Sequence, residues 1–144
     1  MGGRAVEFMI IIDTNIFIFG ETVGAPEREA AITKYRHAVE AGKIGVNVVI
    51  ISEMFHNSQR ISGRESASAR VRGILSHPSV ELLEFKAETI IRASVLARDF
   101  QMRINDALIA QQAIETGAAI LTDNVKDFGK IKSIRVIPLR DRSS

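Results

Sequence analysis

Four carboxylates stand where the chain leaves apolar runs: Asp13 after residues 8–12, Glu53 after 48–51, Asp106 just ahead of 107–110, and Asp123 after 119–122. If those runs build one parallel sheet, the acids gather in the crevice at its carboxyl edge, where open α/β sheets bind ligands. Carboxylates held that close cannot all stay ionised without a cation. A hard, oxygen-preferring ion such as Mg²⁺ relieves the repulsion and can also activate water against a phosphodiester. The pattern therefore implies metal-dependent phosphodiester hydrolysis.

Each acid also has a plainer structural role open to it. Asp13 can cap a short helix over 15–19 by accepting backbone N–H groups. Glu53 falls in the first turn of a helix opened by Ser52, where the helix dipole favours negative charge. Asp123 and Asn124 are ordinary turn formers. Asp106 is harder to set aside, because Ile109, Ala110 and Ala113 share its helical stripe and turn it toward the apolar interior, where a carboxylate needs a partner. The four together carry more weight than any one.

The segments that must position these residues alternate between strand and helix patterns. Residues 8–12 form a continuous isoleucine-rich run, as expected of a strand buried on both faces. Pro26 opens a helix over 27–41 that Gly42 stops, 44–51 reads as the second strand, and Ser52 caps a helix through 53–60. A further helix over 64–76 precedes a short strand at 80–84. Helices over 87–102 and 105–116 follow, and strands at 118–122 and 134–139 complete the sheet. Strands separated by helices predict an α/β three-layer sandwich with a mostly parallel central sheet. No repeat or linker divides it, so one domain over 1–144 is expected, with its core at about 9–139 and 1–8 as an N-terminal extension, since Met9 directly precedes the first strand.

Composition narrows the chemistry. The 144 residues contain no cysteine, which excludes disulfides, thiolate metal sites and cysteine nucleophiles and fits a reducing, cytoplasmic compartment. No apolar stretch reaches the length of a membrane span, and 1–7 lacks the layout of a secretion signal. Net charge is only +2, but basic residues cluster at Arg60, Arg64, Arg70 and Arg72 and again from Lys126 to Arg142, a distribution that suits a polyanion or simply a solvated surface. His37, His56 and His77 are dispersed. The single Glu53-x-x-His56 spacing falls short of a di-iron site, which needs two, and Gly42-Lys43 lacks the rest of a phosphate-binding loop. A phosphatase with a strand-end aspartate nucleophile usually has a second acid two residues on, where this chain has Asn15.

Asp13-Thr14-Asn15 after a short apolar strand resembles the opening of PIN-domain ribonucleases, and Ile51-Ser52-Glu53 resembles their second acidic position. Asn105-Asp106-Ala107-Leu108-Ile109-Ala110, then Gly117, Ala119-Ile120-Leu121-Thr122 and Asp127-Phe128, is similar to their third and fourth blocks. Order and spacing agree from about 9 to 139, and the compact length looks most like VapC-type toxins. The resemblance implies a Mg²⁺- or Mn²⁺-dependent endoribonuclease acting on structured RNA such as tRNA, commonly a homodimer, silenced by a small antitoxin. It implies metal contact by Asp13 and Asp106, with Glu53 holding metal waters or a second ion, and oxygens from Asn15, Ser52 and Thr122 orienting the ligands. The chain departs from the pattern at Asn124, where many members carry the fourth acid. Asp123 and Asp127 flank it, and Asp127 is the expected substitute, because a helical turn starting at Asn124 would bring it to the same side. Degenerate members of the fold bind RNA or protein without cutting, and others process RNA as housekeeping nucleases, so these remain the alternatives.

Overall fold

In the computed structural model, which describes residues 8–141, five strands and seven helices follow in the order β1 (Met9–Ile12), α1 (Thr14–Glu21), α2 (Arg28–Ala41), β2 (Lys43–Asn47), α3 (Val48–Ser62), α4 (Arg64–Ser76), β3 (Val80–Leu83), α5 (Ala87–Phe100), α6 (Ile104–Thr116), β4 (Ala119–Thr122), α7 (Val125–Phe128) and β5 (Val136–Pro138). Of the N-terminal extension expected over 1–8, residues 1–7, the stretch that lacks the layout of a secretion signal, lie outside the described residues.

The sheet runs β3-β2-β1-β4-β5, with every neighbouring pair parallel. Helices flank it, as the alternating pattern predicts. The central strands β1 and β4 are almost wholly buried while the edge strands β3 and β5 are not, which is why 10–12 and 119–121 read as unbroken apolar runs. Helix α1 packs on α2 and α3, α3 on α4, and α5 on α6. This grouping is the one that right-handed crossovers in the order β3-β2-β1-β4-β5 would give, with the β1-β2-β3 connections on one face and the return to β4 on the other. Gly45 in β2 sits where a Cβ would come within 2.7 Å of Leu83 Cδ1 and crowd Met9 and Ile11, so a larger residue would have to displace those side chains. At the end of α6, Gly117 takes the left-handed conformation (φ 72°) that closes the helix and turns the chain into β4.

The second strand is shorter than expected. It ends at Asn47, and residues 48–51, read from sequence as strand, form the first turn of α3. A short apolar β-branched run does not by itself distinguish the two. The deciding residue is Asn47, fully buried, whose Oδ1 accepts the Ile50 N–H at 3.0 Å and caps the helix. Its Nδ2 donates to Gln112 Oε1 at 2.8 Å, fastening the start of α3 to α6. Ser52 is therefore not the cap; its hydroxyl bonds back to Val49 O within the helix. Glu53 consequently lies in the second turn of α3 rather than the first.

Candidate active site

At the carboxyl edge, β1 and β4 run in register with Ile12 opposite Leu121, so the chain leaves the sheet at Asp13 and Thr122 side by side. Thr122, fully buried, donates its hydroxyl to Asp13 Oδ2 at 2.7 Å and accepts the Asn124 N–H at 2.8 Å. Asp13 also caps α1, its Oδ1 accepting the Thr14 N–H at 2.8 Å, and Asn15 Nδ2 reaches Oδ2 at 3.2 Å. The capping role and a place at the sheet edge thus fall on the same residue. Asn15 then uses its Oδ1 to accept the Asp123 N–H at 3.2 Å, tying the two turns together.

These bonds fix a carboxylate that is only 5% exposed. Its pKa is raised from 3.8 to about 6, chiefly by burial and in smaller part by the nearby charges of Asp106 and Glu53, against the lowering pull of the bonds from Thr122 and Thr14. Asp106, in the first turn of α6, is half-buried and also shifted upward. Burial is the main cause, Arg103 opposes it, and Asp127 and Glu53 add to it. Glu53 enters from α3, with Oε1 accepting the Thr14 hydroxyl at 2.8 Å.

Asp13, Glu53 and Asp106 line one open cavity of about 530 Å³, together with Thr14, Asn15 and Asn124. Arg60 and Arg103 also line it. A separate cleft of about 210 Å³ between α1, α2 and α4, lined by Phe17, Tyr35 and Ile74 among others, has no acid on its wall.

Other sequence-predicted positions fall elsewhere. Ser52 faces a different depression with Val48, Phe55 and Gln59, away from the acids. Asp123 turns to Arg140, which reaches both its oxygens at 3.0 and 3.1 Å. Asp127 is on the α7 turn as expected; it is not on the wall of this cavity, but its charge bears on Asp106 more than that of Glu53 does, and its Oδ2 accepts the Asn124 Nδ2–H at 3.1 Å. That bond, with Lys130 at 3.3 Å, holds the Asp127 carboxyl below its ordinary range. Among the described residues, no three Asp, Glu, His or Cys side chains are grouped as a ready set of ligands for one ion, so the expected four-carboxylate cluster is instead a looser arrangement of three acids around a cavity.

The basic clusters also separate once folded. Arg70 is half-buried, pairing with Glu21 at 3.1 Å and donating to Phe17 O at 2.7 Å. Arg64 and Arg72 lie on a different patch of α4, Arg140 pairs with Asp123 and Glu27, and Arg135 stacks over the Phe8 ring. Sequence reasoning missed His56, Asn57 and Arg103 as cavity residues. For His56, Asn57 and Arg60 the signal was available, since they follow Glu53 at i+3, i+4 and i+7 and share its helical face.

A profile of the PIN domain matches residues 10–133. The tRNA(fMet)-specific endonuclease VapC of Shigella flexneri is 25% identical over 130 residues, covering 87% of this chain and 93% of that protein. VapBC2 of Rickettsia felis, solved bound to a promoter DNA fragment, superposes with a TM-score of 0.72 at 18% identity, covering 91% of this chain and 98% of that one. Mycobacterium tuberculosis VapC20, described as a sarcin–ricin loop cleaving toxin, gives 0.69 at 16% identity, covering 84% and 93%. At such identities the structures speak to the fold, whereas the profile match covers most of the chain. The chain belongs to the PIN-domain family and is similar to its VapC-type members.

Proposed function

We propose that the chain, acting as one catalytic domain, is a divalent-metal-dependent endoribonuclease and the toxin of a toxin–antitoxin pair. The observation that carries this reading is the meeting of Asp13, Glu53 and Asp106, from three separate elements, on one cavity wall, with Asp13 and Asp106 both shifted upward in pKa. Buried acids with raised pKa in a cleft mark functional sites. Asp13 is buried among neutral donors with acid neighbours, so a cation at the cavity would relieve its charge.

The donor set fits Mg²⁺ or Mn²⁺. Such an ion is characteristically held through one or two carboxylates, with water and substrate oxygens completing its shell, so a cage of three acids is not required. Asp13 and Asp106 are the residues that would hold it. When bound, it would supply Lewis-acid polarisation of the phosphodiester and acidify a water. Glu53 keeps Oε2 available, its Oε1 being occupied by Thr14, and is the base that takes the proton of the attacking water. Asn15 and Thr122 hold the Asp13 carboxylate in one orientation. Asp127 is a poor base, since Asn124 and Lys130 stabilise its anion; it acts instead on the Asn124 amide, whose Nδ2 it accepts and whose oxygen is left for the cavity.

RNA is the substrate class, with tRNA the first to test because the Shigella relative is named for tRNA(fMet). The neighbouring VapBC complexes support an antitoxin partner, and an antitoxin arginine paired with the acids would neutralise the cavity and block the metal. Exposed Ile90, Ile91 and Val95 on α5 support a homodimer. A second reading, an RNA-binding module without cleavage, draws on Asn124 and on the lack of a three-acid ligand group among the described residues. Incubating purified protein with total tRNA in Mg²⁺ and in EDTA separates the two. Cleavage in Mg²⁺ that EDTA abolishes supports the nuclease, and binding without cleavage overturns it.

A further inference from the structure

The acid cavity carries two arginines from different helices, Arg60 of α3 and Arg103 at the start of α6, both exposed at their ends. Arg60 does not hang freely. Its Nη2 donates to Asn57 Oδ1 at 3.0 Å, and Asn57, 9% exposed, donates Nδ2 to Glu21 Oε1 at 3.0 Å. Because an amide offers its oxygen on the side opposite its nitrogen, the bond to Glu21 fixes which way Asn57 presents its acceptor to Arg60. Glu21 is held in turn by the Ser58 hydroxyl at 2.7 Å and by Arg70 at 3.1 Å. The chain Arg70–Glu21–Asn57–Arg60 thus leads from the interior of the helical layer to the cavity rim. Of the four arginines clustered in the sequence at 60–72, Arg60 is the one that lines the acid cavity.

An arginine oriented in advance beside a group of carboxylates, yet bonded to a neutral amide rather than to an acid, is suited to receive an anion. We propose that Arg60, oriented by the Glu21–Asn57 pair, and Arg103 form the phosphate-binding pair of the cleft, holding backbone phosphates that flank the bond lying over Asp13, Glu53 and Asp106. Asn57 is a positioning residue acting through Arg60. This rests on the nuclease reading above and adds the residues that grip the polynucleotide. The acids repel the substrate's phosphates, and the two guanidinium groups offset that repulsion at the rim.

The test uses the full chain and a fluorescein-labelled single-stranded RNA 12-mer. Affinity is measured in EDTA over a salt series, and KM and kcat are measured separately in Mg²⁺. Arg60→Ala and Arg103→Ala should each weaken binding about tenfold and lower the salt slope by about one, raising KM with kcat nearly unchanged. Asn57→Ala should reproduce part of the Arg60→Ala loss and add little in the double variant, as coupled residues do. Arg72→Ala, on a separate patch of α4, should leave affinity, slope and KM unchanged. Wild-type cleavage with equal affinity, slope and KM in Arg60→Ala and Arg103→Ala would overturn the phosphate pair while leaving the nuclease reading standing. Fully additive losses for Asn57→Ala and Arg60→Ala would overturn the positioning role. Failure of the wild type to cleave any RNA would instead remove the reading on which the pair rests.

Discussion

The Thr122 hydroxyl donates to Asp13 Oδ2 across 2.7 Å, joining the ends of two adjacent parallel strands at the lip of the acid cavity. With bonds from the Thr14 N–H and Asn15 Nδ2, three donors converge on this carboxylate. An asparagine there would offer one acceptor oxygen and turn an N–H₂ toward groups that now donate. Asp13→Asn therefore removes a charge whose burial costs about 3 kcal/mol at neutral pH, from a shift of roughly two pKa units, but loses bonds worth a similar total. Its thermal midpoint in EDTA should lie close to wild type, while metal-dependent cleavage is lost.

Asp106→Asn isolates the electrostatic effect, because the forces raising its pKa are burial and the neighbouring acids Asp127 and Glu53. Removing that charge should raise the EDTA midpoint at pH 7.5 and again abolish cleavage. Full cleavage by both aspartate variants would sink the metal-site assignment, and a lowered midpoint for Asp106→Asn would deny the crowding of charge.

The same burial makes metal-free stability depend on pH in a defined direction. Asp13 titrates near 6 when folded and near 3.8 when unfolded, so between those values the folded state holds a proton that the unfolded state does not. Stability from this group is gained as pH falls through about 6 and is fully present below 3.8; it is lost as pH rises through 6. Asp127, shifted the other way, contributes above its ordinary range and loses that contribution only below 3.8, outside this window. Urea unfolding in EDTA at pH 7.5, 6 and 4.5 should show wild type gaining on Asp13→Asn by about 2 kcal/mol across the series. A constant difference would contradict the burial of an ionised Asp13.

At the α7 turn, Asn124 accepts no charge and donates to Asp127 at 3.1 Å. Asn124→Asp would set two carboxylates against each other, lowering the metal-free midpoint while increasing the rise produced by Mg²⁺. Asp127→Ala should need several-fold more Mg²⁺ for the same thermal shift, through loss of the Asn124 orientation. Asp123→Ala, freed from Arg140, should titrate as wild type. A large loss confined to Asp123→Ala would reverse the assignment of this turn.

Asn47 ties the start of α3 to α6, capping Ile50 and donating to Gln112 in a fully buried position. Asn47→Ala should cost about 2–4 kcal/mol, since it removes the cap and strands the Gln112 oxygen. Urea unfolding checks this, and a loss below 1 kcal/mol would mean that the helix start does not depend on this residue.

The sequence by itself determined the order of elements and the three acids of the cavity, because continuous isoleucine-rich runs have few fates other than buried parallel strands, and residues at the ends of such strands share one edge. It also carried the capping capacity of Asp13. What only the tertiary structure decided were interactions between segments distant in the chain. The run 48–51 joined α3 because Asn47 found a buried acceptor in Gln112, 65 residues on. Asp123 is turned to Arg140, which reaches it from beyond β5, while Asp127 accepts the Asn124 amide and bears on Asp106. Arg70, one of four similar arginines in sequence, was drawn inward by Glu21, while Arg60 stayed at the rim. Local pattern fixes which face a residue occupies; which charge it meets there depends on long-range packing, and periodicity carries no record of that partner.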